Sequence, residues 1–269
     1  RRSPTPSTST GESSLPRGTS SSQLLAFLSP HISNFLRNDS GIMKILIAAN
    51  FSTQFFSHSL VDEARKKNFQ IDKVEADYDS IVQSLFTIDF ESEGIHHAVI
   101  LFEPQNLEHL FFSENQADRK TFAEEQFDSL RSAVNHARDN GLKQLYISNL
   151  SRTATSVYGS NAPLNPNSFD FQVIQWNNLL YDFIRETPGL TLLDIDKEIL
   201  KAGISLAFDH KLRTLSDHPW SMEFTTQCAK YCIHIMSADT GAIEKCLILD
   251  LDNTTWGGVI GDDGLKGIS

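Results

Sequence analysis

The feature that most constrains this chain is a regular alternation, from Lys44 onward, of short apolar runs with longer stretches of 3.6-residue apolar periodicity. Short apolar runs predict buried strands, and the periodic stretches predict amphipathic helices. Strands are predicted at Lys44–Ala49, Ile71–Val74, His97–Phe102, Lys143–Ser148, Thr191–Ile195 and Lys245–Asp250, of which the second is the weakest. The alternation therefore predicts an α/β fold, a three-layer sandwich in which helices cover both faces of a parallel sheet.

Composition divides the chain into segments. Residues 1–22 contain twelve Ser or Thr and three Pro, so they cannot bury enough apolar surface to offset the entropy of ordering. A stripe at helical spacing follows, interrupted by Pro30: Leu24, Leu25, Leu28, Ile32, Phe35 and Leu36. We expect a disordered or accessory segment over 1–43, a main domain over 44–236, a polar linker over 237–244 and the start of a further domain over 245–269.

Charge and cysteine content exclude several classes of protein. The chain has 23 Lys+Arg against 34 Asp+Glu, a formal net charge of −11. A broad nucleic-acid-binding surface needs the opposite balance, because it must neutralise phosphates. No run approaches the ~18 consecutive apolar residues of a membrane span, so no membrane association is expected. Three cysteines, Cys228, Cys232 and Cys246, are too few for a disulfide framework, and we expect a reducing, cytoplasmic location.

The strongest functional signal is a pair of carboxylates at the end of the last predicted strand. Asp250 and Asp252 follow an apolar run and precede Asn253 and Thr254. Ligands of open α/β sheets bind beyond the carboxyl ends of strands, where Mg²⁺ would offset the repulsion between the two carboxylates. One carboxylate can attack a phosphoryl group while the other exchanges a proton with the leaving oxygen. The alternative is a solvated turn, because Asp and Asn are common in turns.

The sequence around this pair resembles a known superfamily. Residues Cys246–Ser269, CLILDLDNTTWGGVIGDDGLKGIS, resemble the first motif and following turn of the haloacid-dehalogenase (HAD) phosphatases. Within that superfamily, Trp256–Gly261 resembles the FkbH-like, HAD-IIIC branch, although Thr255 replaces its usual Leu. The resemblance implies that Asp250 is the nucleophile that forms an aspartyl-phosphate and binds magnesium. It also implies that Asp252 is the general acid/base and a second magnesium contact.

The same resemblance implies a reaction class and partners. FkbH-like members serve polyketide-type pathways, where they dephosphorylate a glycolytic bisphosphoglycerate and load the glyceryl group onto an acyl-carrier protein. Others are described as HAD-IIIC phosphatases. A phosphorylated small molecule, Mg²⁺ and an acyl-carrier protein are thus the expected partners, with no nucleic acid and no membrane. The family's second-motif Ser/Thr, its Lys and its later acidic pair do not appear before Ser269, so we expect this chain alone not to catalyse phosphoryl transfer.

The FkbH-like family also places an SGNH-hydrolase-like domain, with a flavodoxin-like sandwich, before the phosphatase domain. Residues 44–236 show that order of elements. SGNH enzymes need a serine nucleophile after the first strand, an oxyanion-hole Asn after a later one and a histidine base near the end. By this resemblance Ser52 is the candidate nucleophile, Asn106 the candidate oxyanion donor and His218 the candidate base.

Each of these candidates departs from the family pattern and has an ordinary structural alternative. Asn50-Phe51-Ser52 stands in place of Gly-Asp-Ser, and Leu215 stands where an Asp should orient His218. Without a carboxylate that fixes its tautomer, the imidazole loses much of its catalytic value. Ser52 can instead cap the following helix, Asn106 can form an Asx turn, and His218 can fill a loop.

Three function classes follow from these observations. The first is a magnesium-dependent phosphatase or glyceryl transferase that acts through Asp250 and Asp252. The second is an SGNH-type serine esterase that acts through Ser52, Asn106 and His218. The third is a non-catalytic module that docks a carrier protein or substrate for the phosphatase domain.

Three other motifs favour structural roles. Cys228 and Cys232 lie one helical turn apart, and no second Cys/His pair has zinc spacing, so core packing is expected. His96 and His97 stand at a strand entrance and are predicted to form a solvated edge. Ser168 is predicted to cap the helix that follows it.

Overall fold

The sheet of this protein is entirely parallel in the part of the chain that the computed structural model describes, residues 42–152 and 156–239. Its five strands have the order β2-β1-β3-β4-β5. They are β1 (Ile42–Ala49), β2 (Gln70–Glu75), β3 (His97–Leu101), β4 (Gln144–Ser148) and β5 (Leu190–Leu193). These strands confirm the α/β class and all of the predicted strands but one. The predicted strand over 245–250 and the segment before residue 42 lie outside the described residues.

Helices cover both faces of the sheet. Those in the described residues are α1 (Gln54–Lys66), α2 (Ile81–Thr87), α3 (Pro104–Ser113), α4 (Phe122–Asp139), α5 (Phe169–Glu186), α6 (Ile195–Ala202), α7 (Ile204–Ala207), α8 (His210–Ser216) and α9 (Met222–Asp239). Leu46 and Ala48 of β1 belong to a core shared with α2, α4 and α5. Ile45 and Ile47 belong to the opposite core, shared with α1, α6 and α9. This two-residue alternation produces the predicted three-layer sandwich.

Polar caps determine where several helices begin. Ser168 accepts a hydrogen bond from the N–H of Phe171 at 3.2 Å, which confirms the predicted cap of α5. Asp194 accepts one from the N–H of Lys197, also at 3.2 Å, at the start of α6. Because Asp194 is already a helix cap, β5 ends at Leu193, two residues before the predicted end.

The amino end of β3 is more buried than the sequence predicts. His97, the first residue of β3, is only 3% exposed, so the prediction of a solvated edge is wrong for this residue. It lies between Ile45 of β1 and Gln144 of β4 in the sheet. Burial lowers the pKa of its imidazole to about 4.

The first strand begins and the last described helix ends at the same edge of the sheet, where the amino ends of the strands lie. β1 begins at Ile42, and α9 ends at Asp239. The Asp239 carboxylate accepts hydrogen bonds at 3.1 Å from Gln144 and Thr191, which lie at the amino ends of β4 and β5. Cys228 and Cys232 of α9 are buried, as predicted. No helix within the described residues is both long enough and apolar enough to cross a membrane.

Candidate functional site

A group of polar side chains meets at the carboxyl ends of β1, β2 and β3. We call this group the carboxyl-edge cluster; its members are Asn50, Ser52, Tyr78, Asp79, Glu103, Asn106, Arg213, Asp217 and His218. The first six follow strand ends, and the last three come from α8 and the turn to α9. Since the strands are parallel, their carboxyl ends meet at one edge, where open α/β sheets bind ligands. The structure therefore brings Ser52, Asn106 and His218 to the same edge.

Two asparagines hold the ends of β1 and β3 together. The Oδ1 atom of Asn50 accepts a hydrogen bond from the Glu103 N–H at 2.7 Å, and its Nδ2 donates to the Glu103 carbonyl at 2.9 Å. Asn106 donates its own Nδ2 to the Asn50 carbonyl. The amide of Asn106 is thus committed to the main chain of another strand end, and it does not form the Asx turn that the sequence allowed.

Two members of the carboxyl-edge cluster, Glu103 and Arg213, form a largely buried ion pair. The Arg213 Nη1 lies 3.0 Å from Glu103 Oε1, and the two side chains are 20% and 1% exposed. Arg213 also donates to Glu103 Oε2 at 3.2 Å and to Asn106 Oδ1 at 3.0 Å. Burial raises the pKa of Glu103, and the guanidinium opposes this only in part. The ion pair fixes Asn106 in position.

Ser52 is half-buried at the turn between β1 and α1. Its N–H donates to the carbonyl of Asp217 at 3.1 Å. Thr53 occupies the N-cap position of α1 and makes no side-chain cap bond, so Ser52 does not cap this helix either. No hydrogen-bond partner from the described residues reaches the Ser52 hydroxyl.

His218 is fully buried and uses both ring nitrogens. Its Nδ1 lies 3.0 Å from the Ser52 carbonyl oxygen, and its Nε2 lies 2.8 Å from Thr225 Oγ1. A carbonyl oxygen only accepts, so Nδ1 carries a proton. The Thr225 hydroxyl, the partner of Nε2, also donates to the Ser221 carbonyl at 2.8 Å. Burial lowers the pKa of His218, although the bond to Ser52 opposes this shift. The Nε2 atom that a general base would use is therefore paired with Thr225.

Aromatic rings enclose His218 on several sides. Its ring centroid lies 5.2 Å from that of Phe55, 5.8 Å from Phe51 and 6.1 Å from Trp220, all in edge-to-face geometry. Trp220 in turn lies 5.0 Å from Phe51. This apolar surrounding is the physical cause of the desolvation that lowers the pKa of His218.

The outer rim of the cluster is acidic. Tyr78 is 58% exposed, and its hydroxyl lies 3.5 Å from Asn106 Nδ2. Desolvation and the neighbouring Asp217 raise the pKa of Tyr78 to about 12. Burial and Asp217 also raise the pKa of Asp79. Because Arg213 is already paired with Glu103, this rim favours ligand groups that donate hydrogen bonds.

The carboxyl-edge cluster does not fit a magnesium site. No group of three or more His, Cys, Asp or Glu in ranges 42–152 and 156–239 is arranged to hold a metal ion. The predicted ligands Asp250 and Asp252 lie outside the described residues. A magnesium site therefore stays a prediction for Asp250 and Asp252, and none is assigned to the carboxyl-edge cluster.

Sequence reasoning missed Glu103, Arg213 and Tyr78. Glu103 had a local signal, since it precedes Pro104, the first residue of α3, and caps that helix through Asn106. Arg213 had none, because it lies 110 residues from Glu103 in sequence and reaches it only through the tertiary fold. The catalytic roles assigned to Ser52, Asn106 and His218 stay predictions.

Comparison with protein families identifies the domain. Residues 44–237 match the family model described as FkbH, N-terminal domain. The chain belongs to this family. The FkbH N-terminal domain is thus the parallel-sheet domain described above, and the predicted FkbH-like resemblance is confirmed at the level of the family. No curated protein matches the chain.

Solved structures resemble this domain to different degrees. The N-terminal part of BF1531 from Bacteroides fragilis, described as containing a phosphatase domain complexed with Mg, aligns with a TM-score of 0.71 at 24% identity. The match covers 84% of this chain and 60% of that chain, so this chain spans about 60% of its length. The lipase Lip_vut3 from a goat rumen metagenome aligns at TM-score 0.48 and 12% identity over 70% of this chain and 95% of that chain. A catalytic mutant of the acetylxylan esterase Axe2 from Geobacillus stearothermophilus aligns with a TM-score of 0.47 at 13% identity. That match covers 74% of this chain and 94% of that chain.

Proposed function

We propose that residues 44–237 form a non-hydrolytic binding domain within a magnesium-dependent HAD-IIIC protein that transfers phosphoryl and glyceryl groups. The arrangement of His218 carries the first half of this proposal, because both of its ring nitrogens are engaged away from the Ser52 hydroxyl. Membership of the FkbH N-terminal family supports the second half.

Serine hydrolysis needs a base that bonds the nucleophile and donors for the oxyanion. Here the Nε2 atom of His218 is paired with Thr225. The candidate oxyanion donor Asn106 donates one Nδ2–H to the Asn50 carbonyl, and the N–H of Ser52 itself is donated to the Asp217 carbonyl. An oxyanion formed at Ser52 would therefore find no unpaired base and no free Ser52 N–H. It would find only the second Nδ2–H of Asn106, whose nitrogen lies 3.5 Å from the Tyr78 hydroxyl oxygen. The geometry favours binding over hydrolysis.

We also propose that phosphoryl transfer takes place at the predicted site formed by Asp250 and Asp252. Asp250 would attack the phosphorus of a phosphorylated small molecule, and the bond from phosphorus to the leaving oxygen would break. Asp252 would donate the proton that the leaving oxygen takes. Magnesium would be held by these two aspartates, which lie outside the described residues. Loading of the glyceryl group onto an acyl-carrier protein follows from the family resemblance.

The phosphoryl-transfer proposal is tested in the full-length natural protein with Asp250→Asn. Phosphate release from acyl phosphates in the presence of Mg²⁺ is expected to fall by at least about 10³-fold, the scale seen when a nucleophile is removed. Asp262→Asn is the matched control, because Asp262 belongs to the neighbouring turn and has no proposed role. Equal turnover by the natural protein and Asp250→Asn would reject the aspartyl nucleophile.

The non-hydrolytic character of the described domain is tested separately with a fluorophosphonate probe. Such a probe labels a serine only where a neighbouring base activates it. We expect no labelling of Ser52 in the intact chain, and the same background in Ser52→Ala. Labelling that Ser52→Ala abolishes would establish the serine-esterase alternative and overturn the binding role.

The binding role is tested at the exposed rim of the carboxyl-edge cluster. Titration of an acyl-carrier protein against the intact chain is expected to show association that Tyr78→Ala weakens about tenfold. Tyr158→Ala is the matched control, since Tyr158 is an exposed tyrosine outside the cluster. Absence of association, or equal weakening by both variants, would count against binding at this edge.

A further inference from the structure

Exposed apolar and basic side chains occur together on the surface formed by α6, α7, α8 and the start of α9. Leu200, Leu206 and Met222 are 72%, 68% and 45% exposed. Ser221 donates its hydroxyl to the Leu206 carbonyl at 2.8 Å, so the start of α9 lies beside α7. We call this surface the α6–α9 patch, and its members are Lys197, Leu200, Ile204, Leu206, Lys211 and Met222.

The charge of this surface is opposite to that of the whole chain, which has a formal net charge of −11. In residues 197–211 every exposed Asp, Glu, Lys or Arg is a lysine, namely Lys197, Lys201 and Lys211. Lys201 is already paired with the buried carboxylate of Glu198. No ion-pair partner from the described residues reaches Lys197 or Lys211. Two unpaired cations therefore border the exposed apolar side chains and attract negative charge.

The combination of side chains indicates the chemistry of a partner. Several large apolar side chains exposed together mark an interaction surface more often than single ones do. Lys197 and Leu200 are three residues apart on α6, so they are neighbours on one helical face. A partner fits such a surface when it presents apolar side chains bordered by carboxylates. An amphipathic helix with acidic margins has this arrangement.

Two other occupants fit the α6–α9 patch less well. A second copy of this chain, packed through the same patch, would bring the unpaired lysines Lys197 and Lys211 of both copies together. An anionic lipid surface would meet Glu223, an exposed acid next to Met222, and its headgroups would repel that carboxylate. The charges therefore favour a separate protein that brings its own acidic side chains.

The start of α9 lies far from the edge of the sheet where β1 begins. α9 has 18 residues, so Met222 lies about 25 Å from Asp239 at the other end of the helix. Asp239 contacts the amino ends of β4 and β5, and Ile42 begins β1 at that same edge. His218, shortly before Met222, contacts the Ser52 carbonyl of the carboxyl-edge cluster. A partner on the α6–α9 patch is therefore placed beside this cluster.

We propose that the α6–α9 patch docks an acidic amphipathic helix of the acyl-carrier protein and so places that protein beside the carboxyl-edge cluster. Leu206 and Met222 cover the apolar stripe of the partner helix, and Lys197 and Lys211 pair with carboxylates at its margins. This inference rests on the proposed binding role of the domain, and it adds the surface and the chemistry by which the partner is recognised.

Charge reversal in the intact chain tests the electrostatic part. The probe is an acyl-carrier protein with an acidic surface helix, titrated against each variant. The double variant Lys197→Glu, Lys211→Glu is expected to weaken association about tenfold, because like charges then face each other. Added salt should reduce this difference. The matched control is Lys67→Glu with Lys120→Glu, which makes the same charge change at exposed lysines outside the patch and should leave the affinity nearly unchanged.

A complementary change in the partner separates recognition from a loss of folding. A carrier protein whose helix carboxylates are replaced by lysine is expected to bind the Lys197→Glu, Lys211→Glu chain more tightly than the natural chain. A chain that had merely unfolded could not show this reversal of preference. Failure of the reversed carrier to prefer the reversed chain would overturn the pairing of these charges.

The apolar part is tested with Leu206→Ser, which is expected to weaken the same association about tenfold. Leu110→Ser is the matched control, since Leu110 is an exposed leucine of α3.

The pattern across variants separates this inference from the proposed function. Weakening by Tyr78→Ala with no effect of the patch variants would overturn docking at the patch and leave binding at the carboxyl-edge cluster intact. No association with the carrier protein in any variant would overturn both. Two further results would assign the patch to another occupant and reject the proposal. One is binding to phosphatidylserine vesicles that Leu206→Ser abolishes, and the other is self-association of the intact chain that Leu206→Ser abolishes.

Discussion

The Nδ1 atom of His218 lies 3.0 Å from the carbonyl oxygen of Ser52, 166 residues away in sequence. The histidine therefore contacts the main chain of the candidate nucleophile and not its hydroxyl. The Ser52 N–H completes the connection by donating to Asp217, the residue before His218. Together these bonds tie the turn after β1 to the turn before α9. In this domain the pair joins two distant turns, which is a structural use of two residues for which the sequence predicted catalytic roles.

Replacement of His218 tests this structural use. His218→Ala removes two hydrogen bonds and leaves a cavity among aromatic rings, so the free energy of unfolding is expected to fall by about 3 kcal/mol. Thr225→Val removes the partner of Nε2 and the hydroxyl bond to the Ser221 carbonyl without opening a cavity, and it is expected to cost about 1 kcal/mol. Denaturant unfolding of the intact chain measures both. His58→Ala is the control, since His58 is exposed on α1; a His218→Ala chain as stable as this control would contradict the structural role.

The ion pair between Glu103 and Arg213 predicts a strong asymmetry between single and double variants. Arg213→Met leaves the Glu103 carboxylate buried without its partner, and a loss of about 3–5 kcal/mol in the free energy of unfolding is expected. Glu103→Gln combined with Arg213→Met removes both charges and is expected to cost less than Arg213→Met alone. The matched control is Arg65→Met, which breaks the exposed Arg65–Asp62 pair and should cost at most about 1 kcal/mol. Additive losses in the double variant would show that the pair is not coupled.

The architecture of this domain was predictable because its signals are local. The apolar run at Lys44–Ala49 needs only its neighbours in sequence to predict a strand buried on both faces, and the structure extends it by two residues to Ile42. β2 gave a weaker signal because it is the edge strand beside β1 and carries charged residues such as Asp72 and Lys73. Strand ends were less predictable, since Asp194 can end a strand or cap a helix and only the fold decides.

The candidate site was less predictable because its contacts are long-range. Parallel topology explains why Ser52 and Asn106 meet at one edge. Nothing local in the sequence indicates that Asn106 donates its side-chain amide to the Asn50 carbonyl. Nor does it indicate that Arg213, in a seven-residue helix, donates to Asn106. The pairing of His218 with Thr225 likewise depends on how α9 packs against the turn.

The burial of His97 predicts an acid-dependent loss of stability. Its pKa is about 4 in the folded chain against an ordinary value of 6.5, so the unfolded chain binds the proton more tightly. Stability is therefore complete above pH 6.5 and is lost as pH falls toward 4, by up to about 3 kcal/mol from this group. His97→Leu cannot bind that proton, so its stability relative to the natural chain should rise by about this amount between pH 7 and pH 4. His58→Leu, at an exposed position, should run parallel to the natural chain, and a parallel curve for His97→Leu would refute the assignment.

The cap of α5 gives a comparison between two serines at equivalent helix positions. Ser168 accepts from the Phe171 N–H and donates to the Ala162 carbonyl, and both the side chain and the carbonyl are buried. Ser168→Ala is therefore expected to lower the free energy of unfolding by about 1–2 kcal/mol, because it removes the cap and leaves the carbonyl without this donor. Ser80 occupies the N-cap position of α2 but makes no side-chain cap bond, so Ser80→Ala is the matched control and should cost clearly less. Denaturant unfolding of both variants decides the matter: equal losses would mean that the α5 cap bond contributes nothing beyond what any serine at this position supplies.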